Sequence, residues 1–314
     1  MPTALRPAAR AATDLLLSRP LPRRAALRIG AERQRTIVLL WHRVGPEGPQ
    51  PHEVVRTLAL DDFRRQIDLL QQMGTIVPLA ECDGPFVDED NRPRFVLTFD
   101  DDDHHHSQHV LPVLLAGGLP ATFFLSGRWL HGYGPYWWEL LEQEIATEGT
   151  ARVAGRHGLP PDATAPRIGQ ALTGTAAAQR MAEEARRAPD APMDDEEMRA
   201  LVDAGMEIAF HTIDHDLLPG LSDAALDAAV STGRDRLSAA TGVPIERFAY
   251  PHGGADERTA AAVGRAGYRS AWTTAKRSAR PADAPMLRGR WDLGHRSLDE
   301  MRRSILRAMV RPRP

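Results

Sequence analysis

One cysteine, one lysine, few aromatics and no long apolar run are the first features of this 314-residue chain. Cys82 alone permits neither an internal disulfide framework nor a multi-cysteine zinc site, so any metal must be held by His, Asp or Glu. No stretch approaches the ~18 apolar residues of a membrane span. Leu15-Leu16-Leu17 falls short of the ~7–15 residues of a signal-peptide core, so the expected location is the cytoplasm. With 42% apolar and 26% charged residues, collagen-like, coiled-coil and wholly disordered readings are excluded.

Charge is lopsided although the net value is only −3. Residues 1–35 carry eight Arg against Asp14 and Glu32, a local +6, which leaves −9 on the remainder. So acidic a body argues against nucleic acid as a partner. The basic N-terminal arm, residues 1–35, suits peripheral contact with anionic lipid or glycan; a solvated, frayed arm is the simpler reading of the same charge.

Beyond the arm, β-rich runs alternate with helical stretches. Thr36–Trp41, Arg94–Phe99, Ala121–Leu125, Met206–Phe210, Phe248–Tyr250, Arg269–Thr273 and Leu287–Leu293 read as strands. Helices are expected at Leu60–Met73, His109–Ala116, Ala224–Ala240, Glu257–Ala266 and Leu298–Met309. Such alternation points to an α/β fold with a mainly parallel sheet, as a barrel or an open sheet. An Ala-rich stretch at about 136–198, broken at Pro160-Pro161 and Pro189–Pro192, reads as an α-helical insertion within a domain spanning 36–314.

Three polar clusters follow expected strands, where parallel α/β folds place active sites. They are Thr98-Phe99-Asp100-Asp101-Asp102-Asp103 running into His104-His105-His106, then His211-Thr212-Ile213-Asp214-His215, then Tyr250-Pro251-His252-Gly253-Gly254. Two His and one carboxylate suit a hydrolytic divalent-metal site. His211 and His215, four apart, share a face if that segment is helical. Either Asp100 or Asp101 would join them, leaving a neighbouring carboxylate as general base.

In this order the clusters resemble the polysaccharide deacetylase (NodB-homology) family, with its T-F-D-D, H-S/T-x-x-H and Pro-containing turn. Val38–Gly45, Asp62–Leu70, Leu111–Leu125, the F-A-Y-P turn and Arg290–Gly294 resemble further family segments, so coverage is about 36–309 without the insertion. The resemblance implies a distorted (β/α)7 barrel and a divalent metal, zinc first, with cobalt and nickel as the other fits. It implies Asp101, His211 and His215 as ligands and Asp100 as general base. The backbone N–H of His252 would steady the oxyanion while an N-acetyl group on an amino-sugar glycan or its precursor is hydrolysed.

This chain also departs from the family pattern. Asp102 stands where the family has Gly, implying a differently shaped rim loop. The Arg that orients the base is replaced by Ala249, with Arg288 or Arg290 as substitutes and Arg247 read as pointing away. The family's Leu-x-His acid has no clear counterpart, and His295 is the nearest candidate. One of His104–His106 is left open as a functional group, His42 is expected at the same rim, and Tyr136, Trp137 and Trp138 are either core or a sugar platform. Two other readings remain: a C–N hydrolase of a small non-sugar amide, favoured by a closed pocket, and a carbohydrate-binding pseudo-deacetylase, disfavoured by the intact Asp100, Asp101, His211 and His215.

Overall fold

The computed structural model describes residues 23–32, 35–84, 92–189 and 192–310. Two runs rich in apolar and β-branched residues, T-I-V-L-L-W and R-F-V-L-T-F-D, bury every residue, as strands covered on both faces must. They are β1 (Thr36–Trp41) and β5 (Arg94–Asp100), paired in parallel along their length. Between them lie the short β2 (Val44–Gly45), β3 (Leu58–Ala59) and β4 (Thr75–Ile76). Then follow β6 (Thr122–Leu125), β7 (Glu207–Phe210), β8 (Arg247–Ala249), β9 (Ser270–Thr273), β10 (Arg288–Gly289) and β11 (Trp291–Asp292).

The main sheet runs β10-β9-β8-β7-β6-β5-β1-β11, with every pairing parallel and β4 added to β5. The expected last strand, Leu287–Leu293, is split at Arg290. Its first half pairs with β9 and its second half with β1. One segment thus joins both edges of the sheet, and the staves β1, β5, β6, β7, β8, β9 and β10–β11 form a nearly closed, distorted (β/α)7 barrel.

Strand alternation fills the barrel in layers. At the floor Asp83 accepts from Arg247 (2.5 Å) and Arg288 (2.8 Å), and Arg247 also pairs with Glu207. Above sit Val38, Val96, Phe124, Ala209, Ala249 and Trp272. The rim layer is polar: Thr98, Asp100, His211 and Arg290, all buried.

The helix Leu60–Met73 buries Phe63, Ile67, Leu70 and Met73, and Asp61 and Asp62 favour its positively polarised first turn. The single helix expected over Ala224–Ala240 is two, Asp223–Ser231 and Arg234–Thr241. Gly233 breaks it at φ 92°, a backbone region that glycine enters without steric cost.

Between β6 and β7 the chain forms helices Trp137–Glu148, Thr150–Arg156, Ala165–Leu172, Ala176–Ala185 and Asp195–Asp203. The first four share an apolar cluster that includes Trp137, Trp138, Leu141, Val153 and Ile168. Met198 and Leu201 of the fifth instead join the core around the barrel.

Of the basic arm, residues 1–22, 33 and 34 lie outside the described residues. Arg23–Glu32 is helical and meets the C-terminal helix Leu298–Val310 closely enough that a Cβ on Gly30 would reach Met309 Sδ at 2.2 Å. Among the described residues no helix is long and apolar enough to cross a membrane.

Candidate active site

The rim of the barrel gathers the three sequence clusters at the C-terminal ends of β5, β7 and β8. Alternation along β5 turns Val96, Thr98 and Asp100 inward. Asp100 is gripped in bidentate fashion by Arg290, with Oδ1 2.5 Å from Nη1 and Oδ2 2.7 Å from Nη2. Burial pushes the Asp100 carboxyl up, but Arg290, with His211, outweighs burial and holds it below the usual carboxylate value. Of the arginines weighed from the sequence, Arg290 is therefore the one that reaches the candidate base. Arg288 and Arg247 sit two strand residues deeper, on Asp83.

Asp101 leaves the strand at φ 71°. Its Oδ1 lies 3.4 Å from His215 Nε2 and 3.8 Å from His211 Nε2. The two histidines converge, but not through a helical turn. The segment after β7 is irregular, with Thr212 at φ 59° and His215 at φ 54°, and these left-handed residues bring the rings to 4.9 Å. Strain of this kind, about 1–3 kcal/mol per residue, is held only where the surroundings over-determine it.

These three residues fit a divalent cation. Asp101 Oδ1 is buried with no hydrogen-bond partner, and one ligand atom from each residue lies within 4.8 Å of the others. Burial, then the neighbouring Asp100 and Asp102, raises the Asp101 carboxyl well above its ordinary value, a cost that a cation would relieve. Burial lowers His211 to about 4 and holds His215 well below its ordinary value, keeping both imidazoles neutral as ligands must be. His211 Nδ1 lies 2.8 Å from the Ala249 carbonyl, the contact of a donated hydrogen bond, which leaves the Nε2 lone pair facing Asp101.

Neighbouring side chains brace this arrangement. His106 is fully buried, with Nε2 3.2 and 3.1 Å from the carbonyls of Asp100 and Asp101, so this member of the histidine run supports the loop from beneath. His104 is exposed and His105 half-buried beside Asp103. Asp102, in the family's glycine position, turns inward and accepts from Ser126 N–H (2.7 Å), Ser126 Oγ and Arg128 N–H (3.4 Å), tying β5's loop to that of β6. Asp103 meets Arg43, which also holds Glu139 and Glu142 of the inserted helices.

A cavity of about 200 Å³ opens over Asp100, Asp101, His211 and His215. His42 lines it, as do His252 and Gly253 from the turn after β8. His252 has φ 56°, and its ring lies 4.5 Å from that of His215. Trp137 and Trp138 also line the cavity while belonging to the insertion's apolar cluster, so core and platform coincide. Trp138 stacks on Tyr136 (4.3 Å) and meets His215 edge-on (4.8 Å). His295 is exposed on the turn after β11 and is not among the lining residues, though it lies near enough to His42 for their charges to interact.

Sequence reasoning missed several contributors. Val54, Val55, Gln170 and Thr173 line the cavity from segments remote in sequence, and Glu142 acts through the backbone of Val54 and Val55. No motif marks them; only their packing does.

A family model described as polysaccharide deacetylase matches residues 88–271. Among solved structures, the Streptococcus pyogenes deacetylase PplD in complex with acetate is 18% identical, covering 88% of this chain and 99% of that one, with a TM-score of 0.58. IcaB from Ammonifex degensii is 20% identical over 86% of this chain and 96% of its own, with a TM-score of 0.55. A de-N-acetylase from Aggregatibacter actinomycetemcomitans is 14% identical over 86% and 99%, with a TM-score of 0.57. No curated protein sequence matches significantly.

Proposed function

The chain belongs to the polysaccharide deacetylase family, hydrolases of carbon–nitrogen bonds, and from that premise we propose that it removes the N-acetyl group of an amino sugar in a metal-dependent reaction. The observation that carries this reading is the pairing of two devices on one rim. A buried carboxylate locked in its ionised form by Arg290 stands beside an unsatisfied Asp–His–His set that fits a cation.

Asp101, His211 and His215 would hold the ion, zinc being the best match to two imidazoles and one carboxylate. When bound, such an ion supplies Lewis acidity and makes hydroxide available near neutral pH. Asp100 then accepts the proton at the oxygen facing His211, Oδ2, which lies 3.7 Å from His211 Nε2. Arg290 occupies both carboxylate oxygens from behind, fixing the plane of the group and opposing premature protonation.

His252 would contribute its backbone N–H to the developing oxyanion. It follows Pro251 in the turn after β8, where a left-handed backbone at φ 56° places it beside the cavity. His42 lines the same cavity. His42 joins His295, which lies outside the lining but near His42, as a candidate proton donor.

The test is acetate release from N-acetylated amino sugars with zinc or cobalt supplied, after chelation, and with Asp100→Asn. Chelation should abolish release and added metal restore it, and Asp100→Asn should lower kcat by about 10²–10⁴-fold. Turnover that survives Asp100→Asn, or that ignores chelation, would refute the mechanism.

A further inference from the structure

Resting on that deacetylase reading, we infer that the pocket takes a single N-acetylated amino-sugar unit, free or at a chain end, and excludes units inside a polymer. A polysaccharide threading through a site needs a groove open in two directions. Here the inserted helices and the β2–β3 loop, which both line the cavity, join across one side of it as an arch.

The arch is fastened from both sides. Glu142, buried in the inserted helix Trp137–Glu148, accepts the backbone N–H groups of Val54 (2.7 Å) and Val55 (3.0 Å) on one oxygen and Arg43 (2.7 Å) on the other. Helix Ala165–Leu172 then lies directly on the loop, so close at Gly169 that a Cβ there would come within 2.2 Å of Val54 Cγ1. Charge-assisted bonds to a buried carboxylate, with both ends otherwise satisfied, make this a fixed wall.

The space left beneath the arch is small. About 200 Å³ lies below the roughly 300 Å³ at which ordinary ligand pockets begin. A space of this size suits one pyranose with its acetamido group better than several linked units. The lining suits such a ring: Trp137 and Trp138 contribute apolar side chains, and Gln170 and Thr173 contribute groups that can hydrogen-bond.

The decisive experiment uses the full chain with metal supplied. Its substrates are N-acetylglucosamine and N-acetylgalactosamine, each free and as oligomers of increasing length. It reads released acetate and, by mass spectrometry, the position of each new free amine. The inference expects amines on the free sugar and on terminal units only, with internal units slower by at least about tenfold. In the Gln170→Ala/Thr173→Ala protein, whose roof is trimmed without touching the Glu142 fastening, the internal-to-terminal ratio should rise severalfold. Free amines at internal units at a rate comparable to the ends, or a ratio that the trimmed roof leaves unchanged, overturns the inference and leaves the deacetylase reading standing. No acetate from any substrate overturns the deacetylase reading and this inference with it, in favour of the small non-sugar amide that a closed pocket also suits.

Discussion

Replacing Arg290 by Met tests the energetics of the rim most directly. The Arg290–Asp100 pair is bidentate and closed to solvent, and the guanidinium also lies 3.3 Å from Thr98 Oγ1 and over the Phe124 ring. Removing one partner of such a pair strands the other as a buried, uncompensated charge, which costs about 3–5 kcal/mol. The carboxylate can escape part of that cost only by taking up a proton.

The sign of the pH dependence follows. In the native protein the Asp100 carboxyl lies below its unfolded value, so its contribution is present at neutral pH and is lost as pH falls through its folded pKa. In Arg290→Met it lies above the unfolded value, so the penalty is largest at neutral pH and fades as pH falls towards about 4. Urea unfolding of the chelated protein should show a deficit of about 3–5 kcal/mol at pH 7 that shrinks on acidification. Asp100→Asn/Arg290→Met should recover a good part of it, because the stranded charge is gone. A deficit below about 1 kcal/mol at pH 7, or one that grows on acidification, would refute the reasoning.

Three further outcomes are expected. Asp102→Gly, which installs the family's usual residue, removes the acceptor of three hydrogen bonds from Ser126 and Arg128 and should cost about 1–3 kcal/mol in thermal unfolding, not stabilise the loop. His252→Gly keeps the backbone N–H and suits φ 56°, so kcat should stay within about threefold of the parent if the backbone group is the oxyanion donor; a loss of about 10²-fold or more would assign the role to the imidazole. Gly289→Ala places a Cβ 2.2 Å from the Ala275 carbonyl oxygen in the closing strand, and a drop in stability of about 1–3 kcal/mol is expected from urea unfolding.

Much of the site was legible because it is built at strand ends, where sequence order and spatial order coincide. Asp100, Asp101, His211 and His215 each stand within a few residues of a strand that apolar runs announce. The route by which the histidines meet was not legible. A four-residue spacing suggests a helical face, whereas two left-handed residues do the work, and no propensity signals φ > 0 at Thr212 or His215. Choosing between Arg288 and Arg290 was likewise beyond pattern reading. Both point inward, being two apart, and only their depth in the barrel sends one to Asp83 and the other to Asp100. The broken helix at Gly233 shows the same limit. Its neighbours read as continuous helix, and the break answers to the tertiary neighbour Ile213, which a Cβ there would meet at 2.6 Å.

The split closing strand has a consequence for biosynthesis. The segment that carries Arg290 pairs with β1, which emerges about 250 residues earlier, so the last stave must find the first across nearly the whole chain. Until it arrives the nascent sheet has two raw edges at β1 and β9, and Asp100 has no guanidinium to hold it charged. Completion of the barrel and arming of its base therefore go together: a chain lacking residues from 288 onward would have neither the closing stave nor the guanidinium on Asp100, and its open edges would invite edge-to-edge association.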